Sequence, residues 1–322
     1  MSLSERVRIK VPASTANLGP GFDTLGMALS LYAWIEMKQD DRTSFQLFGD
    51  QMTGVPEDKS NLIYQVAQMV FEEAGISVPE LSISMYSEIP LTRGLGSSAS
   101  AIVGALAAAN ALIGSPLPDR KLFDMATNLE KHPDNVGASL FGGIIAAAWD
   151  GQHADYVRIE PPAELETMVV IPDFHLATSM AREALPKQVS LADAVYNISR
   201  SSLMTAALSS GRLDLIGAAM KDRIHQPYRA ALVPGMAEIL DEAPNRGALG
   251  VALSGAGPTL IAFIQREDER VEALQTYLLE TMKKEGIPAS ILLLSPDIHG
   301  VQVLDELQSI SFMDMIRGEV TT

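Results

Sequence analysis

The chain has 322 residues and a formal net charge of −16, from 24 basic and 40 acidic side chains. Nucleic-acid-binding proteins usually show a basic surplus, so this charge argues against a nucleic acid as partner. The sequence contains no cysteine, which excludes disulfides, thiolate metal sites and a cysteine nucleophile. The longest alanine-rich apolar stretch, 99–113, is too short to span a bilayer, and the start lacks the apolar core of a secretory signal. We therefore expect a cytoplasmic protein that does not associate with membranes.

The first half of the sequence predicts strands interrupted by a few helices. Alternating apolar residues predict strands at 6–11, 34–38, 44–48 and 81–85. Helical periodicity predicts a helix over 61–74, and an alanine-rich apolar segment predicts another over 99–112. A further helix begins near Asp119 and ends before His132, because the following proline disfavours helix there. Residues 141–149 are a strand candidate.

The second half begins after a surface-like stretch at 150–166, which indicates a domain boundary. We expect an N-terminal domain over 1–161 and a C-terminal domain over 162–322. Beyond the boundary the pattern predicts strands at 167–171 and 289–294, a strand–turn–strand over 248–263, and helices near 190–210, 212–221, 234–241 and 269–284. Such mixed runs of strands and helices indicate a layered α+β fold rather than a regular βαβ sheet.

A glycine–serine run, Pro90-Leu-Thr-Arg-Gly-Leu-Gly-Ser-Ser-Ala-Ser100, connects a predicted strand to an apolar helix. Such a turn directs unpaired backbone N–H groups and the positive end of a helix dipole at one point, which suits an anion. Gly94 and Gly96 let the backbone approach phosphate oxygens, and the serines add hydroxyl groups. The run lacks the lysine of a Walker A loop. By itself it fits an anion site and a tightly packed helix start equally well.

Two other glycine-rich segments carry polar residues. Asn17 and Asp23 lie in a loop after the first predicted strand, where side chains can reach a ligand. Both are also common turn formers, and for this segment alone a simple turn is the better interpretation. The segment Leu253-Ser-Gly-Ala-Gly-Pro-Thr259 lies between two apolar strands, where a plain hairpin accounts for it.

Together, and in this order, the three segments resemble the three motifs of the GHMP small-molecule kinases, which include galactokinase, homoserine kinase, mevalonate kinase and phosphomevalonate kinase. The run from Pro90 to Ala99 is similar to the phosphate loop of that family almost letter for letter. The resemblance covers about residues 6 to 265. It implies the α+β, two-domain GHMP kinase fold, with an N-terminal half like domain 2 of ribosomal protein S5 and a ferredoxin-like α/β sandwich as the C-terminal half.

Within these kinases the chain is most similar to the homoserine kinases, through the segments 16–26, 132–136, 141–143, 181–186 and 225–229. The resemblance implies phosphoryl transfer from ATP to the side-chain hydroxyl of L-homoserine in threonine biosynthesis, with Mg²⁺ as cofactor and a homodimer as the assembly. A kinase for another small alcohol, such as mevalonate, is the alternative. A catalytically idle binding protein would usually show an eroded phosphate loop, whereas this one is intact.

The resemblance also implies which residues hold the acceptor. Arg182 and Arg229 would bind its carboxylate, because a planar guanidinium suits bidentate pairing, and Asp23 would face its ammonium. The remaining acceptor residues implied are Asn17, His132, Asn135 and Gly255. Taken alone, an arginine is usually a solvated or surface-paired residue, and His132 could simply cap the preceding helix.

For ATP, the resemblance implies an adenine site near Asn61 and a triphosphate on the phosphate loop. The loop residues concerned are Pro90, Leu91, Thr92, Arg93, Gly94, Leu95, Gly96, Ser97, Ser98, Ala99 and Ser100. Mg²⁺ would be held by Ser98 and a carboxylate. Glu130 is favoured for that carboxylate and Asp124 is the competitor, because the segment between the glutamate and His132 is shorter here than in some homoserine kinases.

The residues expected to act in catalysis are Asn135, Ser98 and Glu130. The resemblance implies that Asn135 corresponds to the catalytic aspartate of mevalonate kinase, and an amide cannot take a proton at neutral pH. We therefore assign no general base and expect direct in-line transfer to a held hydroxyl. If a base were required, Asp134 beside it would be the candidate.

Overall fold

The computed structural model describes residues 4–304 and 310–320, which form two β-sheets with helices packed on them. The strands are β1 (Val7–Ala16), β2 (Leu25–Gln39), β3 (Ser44–Phe48), β4 (Leu81–Ser87), β5 (Ile144–Trp149), β6 (Ala154–Ile159), β7 (Leu165–Pro172), β8 (Gly250–Leu253), β9 (Leu260–Gln265), β10 (Ala289–Leu294) and β11 (Gln302–Val303). The helices are α1 (Leu62–Glu73), α2 (Ser97–Leu112), α3 (Asp119–Glu130), α4 (Asp134–Phe141), α5 (Thr178–Glu183), α6 (Leu191–Ser210), α7 (Ile216–Ala219), α8 (Gln226–Arg229), α9 (Met236–Glu242), α10 (Val271–Lys284) and α11 (Phe312–Val320). None of these helices combines the length and apolar character that crossing a bilayer requires.

The first sheet has seven strands in the order β11-β1-β2-β4-β3, with β5 and β6 continuing from β2. Its pairs are antiparallel except β3 and β4. Helix α2 packs on β1 and β2 and is flanked by α1, α3 and α4. Because α2 is enclosed on nearly every side, its sequence is apolar all round rather than amphipathic. This burial holds the start of α2, and the glycine–serine run before it, in a fixed position.

The second sheet has four antiparallel strands in the order β10-β7-β9-β8. Strand β7 shows how it is packed: Met168 and Val170 belong to the apolar cluster of the second half, under α9 and α10. The alternate residues Val169 and Ile171 belong to the large cluster of the first half. The sheet is therefore buried on both faces, which explains why β7 is continuously apolar from Met168 to Pro172. The expected two-part α+β architecture is confirmed.

Strand β1 differs from the prediction that it runs into a loop at Pro12. It continues to Ala16, and the pairing with β2 shifts register between Pro12 and Ala13. An irregularity of this kind tolerates a proline, which cannot donate to the ladder. The extension carries Ser14, Thr15 and Ala16 to the phosphate loop.

Six elements of the described residues were absent from the sequence prediction: α4, α5, α8, α11, β6 and β11. Helix α4 occupies 134–141, and β5 begins only at Ile144, because the segment is too short for helical periodicity to stand out. Strand β6 lies inside the surface-like stretch 150–166, and as the outermost strand it exposes Val157 to solvent.

The end of the described chain returns to the first sheet. Gln302 and Val303 pair with β1, and α11 packs Phe312, Met315 and Ile316 around Trp34. The division expected between residues 161 and 162 falls in the connection from β6 to β7 and stays a prediction. Parts of the range 162–322 thus lie against the first sheet.

Candidate active site

A cleft opens where the loop after β1, the starts of α2 and α4, and the segments around α5, α8 and the β8–β9 turn meet. The predicted site residues that line it are Asn17, Asp23, Thr92, Gly94, Gly96, Ser97, Ser98, Ala99, Glu130, His132, Asn135, Arg182, Arg229 and Gly255. They come from both halves of the chain. Six of the phosphate-loop residues and all seven acceptor residues implied by the resemblance therefore share one cavity.

The phosphate loop requires glycine at two positions. Gly94 and Gly96 have φ angles of 80° and 71°, in the left-handed region. A Cβ on Gly94 would lie 2.3 Å from the carbonyl oxygen of Ser254, and one on Gly96 would lie 2.2 Å from Ser14 Oγ. These contacts leave no room for a side chain. The loop then enters α2 at Ser97, whose first turn supplies N–H groups without helical partners.

The third glycine motif holds the phosphate loop in place. Ser254 Oγ donates to the carbonyl oxygen of Gly94 (2.6 Å). The backbone N–H of Thr259 donates to the carbonyl oxygen of Arg93 (3.3 Å). The Arg93 guanidinium also binds Asp173 of the second half (3.0 Å). The motif is thus more than a plain hairpin, because it joins the second sheet to the loop.

The start of α2 and the end of α3 meet at Ser98, whose hydroxyl donates to the Glu130 carboxylate. Asp124 is engaged elsewhere: it accepts from the backbone N–H of Ala154 (2.9 Å) and binds the His153 ring (2.9 Å). A hydroxyl and a carboxylate are oxygen ligands of the kind Mg²⁺ prefers. The Ser98–Glu130 pair fits the ion, whereas Asp124 is used to hold β6.

The loop after β1 is fixed by Asn17. Its Oδ1 accepts from the backbone N–H of Asp23 (3.0 Å), and its Nδ2 donates to the carbonyl oxygen of Gly255 in the other half (3.0 Å). Asn17 and Asp23 both adopt left-handed φ angles, 72° and 55°. Strained residues of this type persist only where surrounding contacts hold them. Asn17 therefore does form a turn, as its residue type predicts, and it also bridges the two halves.

Two arginines project into the cleft with different partners. Arg182 makes two hydrogen bonds to the Asp23 carboxylate, at 3.0 and 2.9 Å. Burial lowers the pKa of Arg182, but its hydrogen bonds to Asp23 outweigh this and raise it above its ordinary value. Burial, followed by the charge of Arg182, lowers the pKa of Arg229 to about 10. Both side chains carry a positive charge at neutral pH.

The start of α4 adds His132, Asp134 and Asn135. His132 Nδ1 lies 2.7 Å from Asp134 Oδ1, and the Asn135 amide donates to Ser14 Oγ (3.1 Å). Burial lowers the pKa of His132, but the nearby carboxylates, Asp134 first and then Asp23 and Glu130, raise it above its ordinary value. His132 is therefore more readily protonated than a free histidine.

Some predicted residues lie outside the cleft. Leu91, Ser100 and Asn61 line an adjacent apolar cavity under α1, which also receives Ser97 and Ser98. Asn61 additionally caps α1 by accepting from the backbone N–H of Ile63 (2.8 Å). Pro90 and Arg93 line a separate surface groove, and Leu95 is buried in the core.

Other cleft residues were not predicted. Phe22 lies between the arginines, with its ring centroid 5.7 Å from Arg182 Cζ and 5.3 Å from Arg229 Cζ. Its position next to Asp23 in the first glycine-rich segment was the available signal. Leu176 and Thr178 also line the cleft, but no motif marks them, since only the fold brings the start of α5 to this place.

Two family models match the chain. The N-terminal domain of GHMP kinases matches residues 61–143, and the C-terminal domain of GHMP kinases matches residues 204–284. Crystal structures agree: that of homoserine kinase from Cytophaga hutchinsonii has a TM-score of 0.85 at 27% identity and covers 94% of this chain and 99% of that one. A mevalonate kinase structure, 18% identical with a TM-score of 0.63 over 90% of this chain and 99% of that one, shares the fold. Fold and site thus define an ATP-dependent enzyme of the GHMP kinase class.

The curated relatives narrow this class. Homoserine kinases from Moorella thermoacetica and Deinococcus radiodurans are each 43% identical to the chain, over 296 and 297 residues. Each alignment covers 92% of this chain, and 99% and 96% of the respective relative. The chain therefore belongs to the homoserine kinase family, as the sequence motifs predicted.

Proposed function

We propose that the protein transfers the γ-phosphate of ATP to the side-chain hydroxyl of L-homoserine, forming O-phospho-L-homoserine and ADP in threonine biosynthesis. The observation that carries the acceptor assignment is the pairing of Asp23 with Arg182 in the cleft. Homoserine bears an ammonium and a carboxylate on one carbon, so opposite protein charges side by side match both. Arg229 supplies a second cation for the carboxylate.

The charge pattern also separates homoserine from mevalonate. Mevalonate has a carboxylate but no cationic group, so it would offer no partner to the Asp23 carboxylate. A site built to bind an ionic group discriminates against an analogue that lacks that group. The test is release of ADP with L-homoserine, with mevalonate, with 4-hydroxybutyrate, which is homoserine without its amino group, and with no acceptor. We expect turnover with homoserine alone. Equal activity with mevalonate would overturn the assignment.

The proposed contacts with ATP lie in two adjoining cavities, the cleft and the apolar cavity under α1. The triphosphate lies on the Gly94–Ser100 segment, and the adenine lies in the apolar cavity beside Asn61. Ser98 and Glu130 would hold Mg²⁺, which neutralises phosphate charge when bound. The loop N–H groups and the dipole of α2 stabilise charge on the transferred group.

The proposed transfer is direct, with no side chain taking the acceptor proton. Asn135 is an amide whose nitrogen is tied to Ser14, so it positions groups rather than removes protons. Asp134 already accepts hydrogen bonds from His132 and from the backbone N–H of Asn135 (both 2.7 Å). The chain's own contribution is to hold the hydroxyl in line with the phosphate.

The proposal includes a cytoplasmic location, in keeping with a chain without cysteine.

The proposal also includes a homodimer. Support for a contact between copies comes from α6, which exposes Leu191, Val195 and Ile198 at helical spacing. Light scattering on the protein and on an Ile198→Glu variant tests the assembly, and a monomeric parent protein would contradict it.

A further inference from the structure

We propose that Asp222 and His225, which lie outside the cleft, are positioning residues that fix Arg229 for the acceptor. The inference rests on the proposed role of Arg229 in binding the acceptor carboxylate. Both side chains are fully buried, and neither lines the cleft. They act on the acceptor half of the reaction and leave the ATP half unaffected.

Asp222 organises the turn that leads into α8, the four-residue helix that ends at Arg229. Its carboxylate accepts from three successive backbone N–H groups, those of Ile224 (2.9 Å), His225 (2.9 Å) and Gln226 (2.6 Å). It also accepts from the Asn197 side chain of α6 (2.7 Å). A buried carboxylate costs free energy unless such donors surround it. Here the donors fix the backbone from which α8 departs.

His225 then joins that turn to both sides of the acceptor site. Its Nε2 lies 2.6 Å from the carbonyl oxygen of Gly19, and its Nδ1 lies 3.3 Å from Arg229 Nη1. A carbonyl only accepts and a guanidinium only donates, so the ring carries its proton on Nε2 and accepts at Nδ1. The ring also contacts Phe22, with centroids 5.2 Å apart. His225 thus bridges the Asn17–Asp23 loop and Arg229.

The contacts of Arg229 show what this bridge achieves. Its Nε donates to the carbonyl oxygen of Ala181 (3.0 Å), and its Nη1 donates to that of Gly255 (3.1 Å) as well as to His225. Within the described ranges, 4–304 and 310–320, Nη2 has no hydrogen-bond partner. The guanidinium is therefore held in one orientation, with Nη2 left for a ligand.

Two conservative variants separate the two contacts of His225. In His225→Asn the amide oxygen occupies the place of Nδ1 and can still accept from Arg229. In His225→Gln the amide nitrogen reaches the place of Nε2 and keeps the Gly19 contact but not the Arg229 contact. We expect the KM for L-homoserine to rise about tenfold in His225→Gln and only about twofold in His225→Asn, with the KM for ATP unchanged in both.

Asp222→Asn presents an NH₂ group to backbone donors, and we expect it to resemble His225→Gln. His299→Gln, which changes an exposed histidine, is the matched control and leaves both KM values as they were. Equal effects of the two His225 variants overturn the proposal. A KM for ATP that rises together with the acceptor KM also overturns it, and so does loss of the folded state in both His225 variants. Each of these outcomes indicates a general structural role.

A double variant distinguishes this inference from the proposed function. If His225 acts through Arg229, adding His225→Gln to Arg229→Ala raises the acceptor KM no further than Arg229→Ala alone. Independent, multiplying effects would overturn the inference while leaving the acceptor role of Arg229 intact. An unchanged acceptor KM in Arg229→Ala would instead remove that role from the proposed function.

Discussion

Glu130 and Asp124 illustrate how neighbouring carboxylates on one helix acquire different tasks. Both lie on α3, but Glu130 meets the Ser98 hydroxyl in the cleft, whereas Asp124 meets His153 and the backbone N–H of Ala154. The sequence could not separate them, because the choice depends on where β6 lies, and β6 was not predicted. The proposal therefore assigns the metal carboxylate to Glu130, and the contact with Ser98 supports it.

We predict that Glu130→Gln raises the Mg²⁺ concentration needed for half-maximal activity at least tenfold, since a neutral amide binds the ion more weakly than a carboxylate. The measurement is the initial rate at fixed ATP and homoserine as Mg²⁺ is varied. Asp124→Asn is the matched control and leaves that concentration unchanged. The opposite pattern in the two variants would transfer the metal role to Asp124.

Asn135 provides a second test at the residue scale. If no base limits the reaction, Asn135→Asp leaves kcat unchanged or lowers it, because the variant disturbs the contact with Ser14 and adds a negative charge near the phosphates. The readout is kcat at saturating substrates. A large gain in kcat, or abolition of turnover in Asp134→Asn with ATP binding retained, would contradict direct transfer without a base.

At the scale of elements, the phosphate loop is where sequence and structure agree best. The strand–turn–helix order around Gly94, Gly96 and the serine-rich start of α2 was predicted from the local sequence, because steric limits at a helix start depend on it. The phosphate role of the turn came from the resemblance to the GHMP kinases. Helix α4 was missed, although it carries Asn135, since its eight residues pack by tertiary contacts rather than by a visible period. The continuation of β1 past Pro12, with its register shift, likewise depends on the partner strand.

We predict that Gly96→Ala raises the KM for ATP at least tenfold, because the new Cβ would overlap Ser14 Oγ and displace the start of α2. Gly114→Ala is a matched control: that glycine also has a left-handed φ angle, 82°, but its Cβ would meet no atom within 4 Å. Comparing the two variants by ATP titration separates the steric overlap from backbone strain. Equal effects would contradict the steric explanation.

At the scale of the whole molecule, the cleft exists only because distant segments meet. Asp23 and Arg182 are 159 positions apart, and Asn17 reaches Gly255 across 238 positions. Family motifs could name these residues as members of one site. They could not show that Asp23 pairs with Arg182 or that Phe22 lies between the arginines, because such contacts follow from how the two sheets pack.

Helix α11 offers a test of stability apart from function. Ile316 is buried against Trp34 on the side of the first sheet where α11 packs, so Ile316→Ala should lower the free energy of unfolding by about 2 kcal/mol. Urea unfolding measures this, and both KM values should stay unchanged. Arg317→Ala, on the exposed side of the same helix, is the control. A changed acceptor KM in Ile316→Ala would show that α11 influences the cleft.

The pairing of Gln302 and Val303 with β1 also bears on synthesis of the protein. Strand β1 is synthesised long before these two residues, so its outer neighbour becomes available only once residues 302 and 303 have been translated. Until then β1 presents an unpaired edge, and open edges of this kind promote association between unfinished chains. Nascent chains halted before residue 302 should therefore depend on chaperones more than chains released after it.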